Sequence, residues 1–268
     1  MSRIVWDAIG EHFYETGVDH GVLYPYNQTS KAYDNGVAWN GLTSVSETPS
    51  GAESNAQYAD NIKYLDLYSA EEFGATIECF TYPEEFDLCD GSVAPVPGMN
   101  IYQQSRSTFG LSYRTRIGSD VNDDLGYKLH LIYNCKASPS ERQYQTVNDS
   151  PEALSFSYEI TTTAVAVTGY KPTARITIDS TKVDATKLKT LENILYGVDS
   201  YTEFTGSTFE AGVTYYERSG SAGAYVYTPT TDATPQDDKT YYTKDETGGI
   251  APRLPMPDEV ISILSANG

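Results

Sequence analysis

Short runs in which apolar and polar residues alternate recur along the chain and predict a fold built mainly from β-strands. In the clearest run, Leu154, Phe156, Tyr158 and Ile160 alternate with serine and glutamate. Glycine, proline and asparagine separate the runs, as expected where turns connect short strands. The other predicted strands are residues 21–24, 37–39, 42–45, 62–68, 73–82, 109–113, 127–135 and 174–178.

One amphipathic helix is predicted after residue 183. Asp184 can cap its N-terminus, and Val183 and Leu188 have the spacing of a hydrophobic staple. Apolar residues then recur on one face, and Gly197 supplies the residue that ends the helix. A single helix among many strands predicts a mainly β fold, a β-sandwich or barrel with one flanking α-helix.

Three segments lack strand alternation. Residues 46–61 form a long polar stretch, which indicates a functional or a disordered loop because ordinary connections are shorter. Residues 1–22 are interpreted as an N-terminal arm that leads into a strand. Residues 253–260 contain two prolines in alternation, which favours an extended arm and not a helix.

Residues 199–249 differ from the rest of the chain in composition. They hold nine acidic residues against three basic ones, and seven of the 23 tyrosines. TYYER at 214–218 returns in similar form as TYYTK at 240–244, with AYVYT at 224–228 between them. Three short Tyr- and Thr-rich strands predict a small β-rich insertion; a long, partly flexible loop is the alternative. The chain is thereby divided into two parts. Residues 1–198 and 250–268 form the core, and residues 199–249 form the appendage.

The net charge and the cysteine content limit the classes of function that the protein can have. The formal net charge is −19, whereas proteins that grip DNA neutralise its phosphates with Lys and Arg. DNA can nevertheless pass an acidic surface without adhering to it. Three scattered cysteines without a CxxC pair fit a reducing compartment. Neither a signal peptide pattern nor an apolar run of membrane-spanning length is visible, so we expect synthesis in a cytoplasm and no membrane partner.

No motif predicts catalysis, a cofactor or a metal. The three histidines form no HExxH pattern, and the sequence lacks a phosphate loop, GxSxG and GxGxxG. His130 and Cys135 lie five apart on a predicted strand, so alternation places them on opposite faces and excludes a nucleophile–base pair. Adjacent acids such as Glu71 and Glu72 are typical of solvated turns. We expect no enzymatic activity, no cofactor and no metal ion.

The densest basic cluster is Arg106, Arg114 and Arg116, of which Arg114 and Arg116 share a face of a predicted strand. Two arginines in an otherwise acidic chain favour salt bridges between subunits over a nucleic-acid site. Both residues are therefore candidates for a subunit interface.

Several segments follow one another in a distinctive order and spacing. They are GVAWNGL (36–42), PSGAE (49–53), YADNIKY (58–64), SAEEFGATIE (69–78), YPEEF (82–86), CDG (89–91), GYKLH (126–130), SPEA (150–153) and RLPMPDEV (253–260). This succession resembles the major tail proteins, or tail tube proteins, of non-contractile, long-tailed phages and prophages of Gram-positive bacteria. The likeness covers roughly residues 3–197 and the C-terminal arm, and none of its motifs is catalytic.

The resemblance implies a structural virion protein that assembles with itself. Such proteins have a β-sandwich core with a flanking helix, six copies form a ring, and stacked rings form the tube through which genomic DNA is ejected. Ring closure removes free sheet edges, and an acidic bore keeps phosphates from adhering. The implied partners are further copies and the tape measure, tail terminator and distal tail proteins, while DNA passes without specific binding. The implied location is the virion tail, after assembly in the host cytoplasm.

Two sets of candidate residues follow from the resemblance. The interface candidates are Pro49, Ser50, Gly51, Tyr58, Asn61, Arg114, Arg116, Arg253, Pro255 and Pro257. The candidates for acids that line the bore are Glu47, Asp66, Glu71, Glu72 and Glu78. The loop at 46–61 and the arms at 1–22 and 253–264 are expected to contact neighbouring subunits and to be poorly ordered in a monomer. Residues 199–249 depart from the family pattern and look like an insertion in a surface loop.

The main alternative is a secreted or cell-surface β-sandwich that binds carbohydrate or protein. It explains the strands and tyrosines, but it predicts a signal peptide and a tryptophan-lined face, and the sequence indicates neither. A glycoside hydrolase is a more distant alternative, since it needs two carboxylates aimed across a cleft.

Overall fold

The structure is a computed structural model and describes residues 4, 6–144, 146, 153–221 and 225–265. It is 49% strand and 11% helix, which confirms the predicted mainly β fold. Most of the SPEA segment and the first residue of AYVYT lie outside the described residues. The chain divides into two compact units, Met1–Leu191 with Arg253–Gly268, and Glu192–Pro252.

The elements are numbered along the chain. The strands of the first unit are β1 (Phe13–Asn27), β2 (Ala32–Tyr33), β3 (Val37–Ala38), β4 (Leu42–Glu47), β5 (Ser50–Gly51), β6 (Ser54–Ala59), β7 (Ile62–Tyr68), β8 (Glu71–Glu72), β9 (Gly74–Cys79), β10 (Val93–Val96), β11 (Met99–Ile101), β12 (Phe109–Ser119), β13 (Gly126–Ala137), β14 (Phe156–Thr162), β15 (Val165–Val167), β16 (Tyr170–Thr173) and β17 (Arg175–Asp179). The strands of the second unit are β18 (Val198–Phe204), β19 (Tyr215–Ser219), β20 (Val226–Pro229) and β21 (Tyr241–Ile250). The helices are α1 (Asp87–Asp90), which follows a 3₁₀ turn at Glu84–Phe86, α2 (Ala185–Tyr196) and α3 (Pro257–Ser265).

The main sheet of the first unit has the order β2–β1–β12–β13–β14–β9–β4, and β17 pairs with β13. Its ladders are antiparallel. β3 pairs with β1, and β4, which follows β3 closely in the chain, pairs with β9. Residues 37–47 therefore connect the two ends of the sheet, which curls around one apolar core.

That core is aromatic and fully buried. Alternation in β9 turns Ala75 and Ile77 inward. Phe86, from the turn before α1, fills the centre, with its ring centroid 4.7 Å from that of Trp39 and 4.8 Å from that of Tyr158. Burying side chains of this size contributes roughly 2–3 kcal/mol each, so this cluster is a main source of the unit's stability.

A β-bulge in β13 shows that the predicted separation of His130 and Cys135 was wrong. The register against β12 shifts by one residue between Ile132 and Cys135, and Asn134 adopts a φ of 47° there. The extra residue moves both side chains to the same face of the sheet. Cys135 is nevertheless completely buried in the core, and burial raises the pKa of its thiol, which disfavours the thiolate that a nucleophile needs.

Helix α2 begins and ends as predicted. Asp184 Oδ1 accepts hydrogen bonds from the backbone N–H groups of Thr186 at 3.0 Å and Lys187 at 3.2 Å. Gly197 adopts a φ of 79°, the left-handed conformation that ends helices at glycine. Leu188 lies on the buried face, so the predicted amphipathic pattern is confirmed.

The predicted N-terminal arm is too long. Residues from Phe13 onward belong to β1, a strand of 15 residues that pairs with β12. Asp120, in the turn after β12, accepts hydrogen bonds from the backbone N–H of Gly10 at 3.0 and 3.1 Å. The segment that projects from this anchor in the described chain is residues 4 and 6–9.

The prediction of an extended C-terminal arm was wrong, because residues 257–265 form α3. Pro257 stands at the first helical position, where its missing N–H leaves no hydrogen bond unmade. Leu254 is buried, and the Tyr133 hydroxyl donates to the carbonyl of Pro255 at 3.1 Å. The segment therefore packs on its own unit.

The second unit contains an antiparallel sheet in the order β18–β21–β19–β20. The three predicted Tyr- and Thr-rich strands are present, and β18 adds a fourth. Tyr201 and Tyr227 stack at 3.9 Å on one face, and Phe209 and Tyr215 stack at 4.1 Å on the other. Aromatic side chains of the unit itself thus cover both faces of this small sheet.

Candidate assembly surfaces

A long hairpin ribbon runs from Leu42 to Cys79; its base belongs to the main sheet, where β9 also pairs with β14, and the rest is two-stranded. β4 pairs with β9, β5 with β8 and β6 with β7, in that order from base to tip. At the tip, Asp60 and Asn61 have φ of 51° and 64°, as in the two-residue turns that match strand twist. From Glu47 to the turn, a rise of roughly 3.3 Å per residue gives a length on the order of 40 Å.

This ribbon overturns the prediction of a long loop at residues 46–61, most of which is strand. The polar residues of β6 show no alternation that a local pattern detects. Their pairing comes from β7, which the sequence predicted correctly. The interface candidates Tyr58 and Asn61 both lie in the ribbon tip, defined here as β6, β7 and the turn between them.

The ribbon tip exposes large apolar side chains on both of its faces. Tyr64 and Tyr68 alternate with Leu65 and Leu67 along β7, and these four and Tyr58 are 40–72% exposed. A two-stranded ribbon is marginally stable alone in water. Clustered exposed apolar groups mark contact surfaces, so the ribbon tip is the best candidate for contact with another protein chain.

The interface candidates at residues 49–51 lie at the base of the ribbon tip. Ser50 faces Glu72, and Gly51 faces Glu71. Gly51 has a φ of 84°, and a Cβ there would lie 2.2 Å from the carbonyl oxygen of Ala70. Only glycine fits this position without displacing the opposite strand.

The five candidate bore acids do not form one surface. Asp66 lies on the ribbon tip, and Glu71 and Glu72 lie at its base. Glu78 lies in β9 on the side of the sheet away from the core, whereas Glu47 takes part in a half-buried polar cluster.

Glu78 belongs to a face of hydroxyl and carboxylate groups, here named the polar face. Its residues, on β4, β9 and β14 opposite the core, are Ser44, Ser46, Thr76, Glu78, Ser157 and Glu159. Ser44 Oγ donates to Glu78 Oε2 at 2.9 Å, and Lys136 lies at the edge of the face opposite Thr161. Glu159 was missed as a site residue, although the strict alternation of residues 154–160 already placed it opposite the core.

Glu47 is bound by three neighbours. Its Oε1 accepts a hydrogen bond from the Tyr113 hydroxyl at 2.8 Å and lies 3.6 Å from His130 Nδ1, and its Oε2 forms an ion pair with Arg175. Burial lowers the pKa of His130, which favours the neutral ring at pH 7. A carboxylate paired with a guanidinium repels phosphate weakly, so Glu47 is a poorer bore candidate than Glu78.

Arg114 and Arg116 share a face, as predicted, and both pair with Asp19 inside the chain. The distances from their Nε atoms to the two carboxylate oxygens are 3.0 and 3.2 Å. Partial burial acts to raise the pKa of Asp19, but hydrogen bonds from Arg114, His20 and Arg116 hold it below its usual value. The cluster links β1 to β12, and both arginines have an acidic partner within their own chain.

The three C-terminal interface candidates also contact their own unit. Arg253 forms a two-pronged ion pair with Glu259, at 2.8 and 2.5 Å. Pro255 and Pro257 are buried. These residues position α3 within the unit.

Among the described residues, no cluster of three or more His, Cys, Asp or Glu side chains is suited to hold a metal ion. Cys79, Cys89 and Cys135 are free and buried, and burial raises the pKa of each thiol, for Cys89 to about 12. Of the helices in the described chain, none combines the length and the apolar character needed to cross a membrane.

Neither a family model nor a curated protein matches this chain. The ribbon tip and the polar face are the features of the described residues that bear on function.

Proposed function

We propose that this chain is a structural subunit that assembles with copies of itself into stacked rings, forming the tail tube through which a long-tailed phage ejects its DNA. The observation that carries the proposal is the ribbon tip, which holds large apolar side chains in water on both of its faces. A chain that functions alone gains nothing from such a projection, whereas a neighbouring copy can cover it.

The ribbon supplies the reach that assembly needs. Its length, on the order of 40 Å, extends its tip to an adjacent subunit. Covering a large apolar side chain such as Tyr64 or Leu67 contributes roughly 1.5–3 kcal/mol, less the cost of ordering it. A few such side chains in each contact, repeated around a ring, are enough to hold subunits together.

The polar face suits the lining of a bore. Hydroxyl groups and the carboxylates of Glu78 and Glu159 give phosphates little to bind, which lets a duplex slide. In this proposal the tape measure protein fills the bore before DNA does, and the tail terminator and distal tail proteins meet the two ends of the tube. The protein is then a component of the virion tail, made in the host cytoplasm.

The carbohydrate-binding alternative has less support. It predicted a tryptophan-lined face, but Trp39 is buried in the core and donates its Nε1–H to the carbonyl of Thr81 at 3.1 Å. The second tryptophan, Trp6, precedes the first strand and belongs to no sheet. Neither residue forms part of an exposed, tryptophan-lined sheet face.

The test of the proposal is a double variant of the ribbon tip, Tyr64→Ser with Leu67→Ser. Both side chains are exposed, so the free energy of unfolding in urea is expected to change by less than about 0.5 kcal/mol per site. Sedimentation velocity over a range of concentrations is expected to show large assemblies for the wild type and monomers for the variant.

The matched control is Tyr170→Ser, on β16, where the tyrosine is 75% exposed but lies outside the ribbon. We expect this variant to assemble like the wild type. A double variant that assembles as readily as the control would remove the ribbon tip from the interface and the main support from the proposal.

A further inference from the structure

A pocket of about 580 Å³ opens at one end of the first unit. Its walls come from the first residues of β1 and β13, the last part of β12, the turn before β13, and the end of β17 with the residues that follow it. The lining residues are Phe13, Tyr14, Glu15, Ile117, Leu125, Lys128, Asp179, Thr181 and Lys182.

The charges in the pocket are already matched, which leaves an apolar floor. Lys128 forms an ion pair with Glu15, and Lys182 forms one with Asp179 at 3.2 Å. Phe13 is 65% exposed, which is unusual for a phenylalanine in a strand. The pocket therefore favours an apolar occupant over a charged small molecule.

The same chain carries an apolar segment that is covered by nothing in the described structure. Ile4, Trp6 and Ile9 are 68%, 74% and 87% exposed. The segment starts from the anchor of Gly10 on Asp120, so it projects from a fixed point. Trp6 is not inserted in the pocket of its own chain, although that pocket lies close to the anchor.

We propose that the pocket receives the N-terminal segment of a second copy of this chain, with Trp6 as the side chain that fills it. Charge complementarity supports this occupant, because Asp7 follows Trp6 directly, and Lys182 at the pocket rim, whose side chain is 80% exposed, can contact a second carboxylate besides that of Asp179. The contact joins two different surfaces of the same protein, so it continues from copy to copy around a ring or along a tube. It deepens the proposed self-assembly and rests on it.

Tryptophan fluorescence tests the insertion directly, because the chain has two tryptophans and Trp39 is only 3% exposed. The difference between the wild type and Trp6→Phe isolates the emission of Trp6. On raising the concentration from monomer to assembly, we expect this emission to shift to shorter wavelength and its quenching by acrylamide to fall several-fold. An unshifted, fully quenched Trp6 in assembled protein would overturn the proposal.

Cysteine cross-linking tests which chain supplies the segment. Asp7→Cys protein is mixed with Lys182→Cys protein and oxidised, and the control mixture pairs Asp7→Cys with Lys171→Cys, an exposed position elsewhere on the first unit. The native cysteines are buried, with raised thiol pKa values, and react slowly. We expect a disulfide-linked dimer in the first mixture at least several-fold more abundant than in the control.

Two outcomes would overturn the inference and remain distinguishable from failure of the proposed function. Equal cross-linking in both mixtures, with assemblies still present in electron micrographs, would leave tube formation standing and remove this contact. A disulfide within one chain of the Asp7→Cys/Lys182→Cys double variant, in monomers, would show that the pocket takes the chain's own segment. Failure of assembly in every measurement would contradict the proposed function as well.

Discussion

Val198 and Ile250 face each other across the antiparallel ladder of β18 and β21, although all of residues 199–249 lie between them in sequence. The next pair along the ladder is Asp199 and Gly249. The first and last residues of the inserted segment, Asp199 and Gly249, are therefore neighbours in space. Because opposed residues in such a ladder lie about 4.5–5.5 Å apart, a short linker can replace the whole segment.

Deleting residues 199–249, with Gly197 joined to Ile250 through a short Gly/Ser linker, is expected to leave the first unit folded and able to assemble. The loop-closure term changes by only about 0.6 kcal/mol for each doubling of loop length. Circular dichroism checks folding, and sedimentation checks assembly. A shortened protein that folds but stays monomeric would place the segment in the assembly interface.

Gly51→Ala is expected to destabilise the base of the ribbon tip. A non-glycine residue at positive φ costs roughly 1–2 kcal/mol, and the new methyl group would meet the Ala70 carbonyl at 2.2 Å, a clash that costs roughly 1–3 kcal/mol more. Urea unfolding measures the total. We expect weaker assembly as well, because the ribbon tip loses its fixed position.

The control for this variant is Gly98→Ala. Gly98 has a φ of 82°, but a Cβ there would meet nothing within 4 Å. The Gly98→Ala variant is therefore expected to lose stability through backbone strain alone, without a steric clash. Equal loss of stability in both variants would show that the close approach to Ala70 has no energetic role.

Asp19→Asn is expected to destabilise the chain at neutral pH and not at low pH. The carboxylate accepts hydrogen bonds from two arginines, and losing bonds to charged groups costs roughly 1.5–3 kcal/mol. Because the folded-state pKa of Asp19 is lowered, its contribution is fully present above the usual Asp pKa. It is lost as the pH falls through the lowered value. The difference between wild type and variant is therefore expected to shrink towards zero in acid.

Urea unfolding at neutral pH and at successively lower pH measures this difference. Asp237→Asn, at an exposed position between β20 and β21, serves as the control and is expected to change stability little at any pH. A wild-type advantage over Asp19→Asn that persists unchanged in strong acid would contradict the ion-pair account of this cluster.

The double variant Glu78→Lys with Glu159→Lys is expected to make the assembled protein bind DNA, which the assembled wild type does not bind. Lysines on the polar face would neutralise phosphates and release counterions, so binding should appear at low salt and weaken as salt rises. Co-sedimentation of assembled protein with short duplex DNA measures this change. Glu203→Lys with Glu210→Lys makes the same charge change on exposed positions of the second unit. Equal binding by both variants would show that net charge, and not the polar face, governs passage.

The strands that line one core were predictable, because each contributes alternate residues to a single apolar interior. Phe156, Tyr158 and Ile160 illustrate this, and so does α2, whose cap at Asp184 and end at Gly197 are local signals. The local sequence pattern was enough to predict an element wherever the residues that determine that element lie within or next to it.

The remaining elements depend on partners distant in sequence or on position-specific rules. The bulge at Asn134 arises from pairing between β12 and β13, which alternation within β13 does not contain. The strand β6 is polar and forms because it pairs with β7. Helix α3 was missed because its prolines suggested an extended chain, although Pro257 stands where helices accept proline. The site residue Glu159 was overlooked because no motif accompanies it.

Negative-stain electron microscopy of the purified chain, prepared over a range of protein concentrations, tests self-assembly into a tube most directly. We predict rings, or tubes of uniform outer diameter with a continuous central bore, that become more abundant as concentration rises. Monodisperse particles of a single chain at every concentration, or irregular aggregates without a bore, would contradict the account.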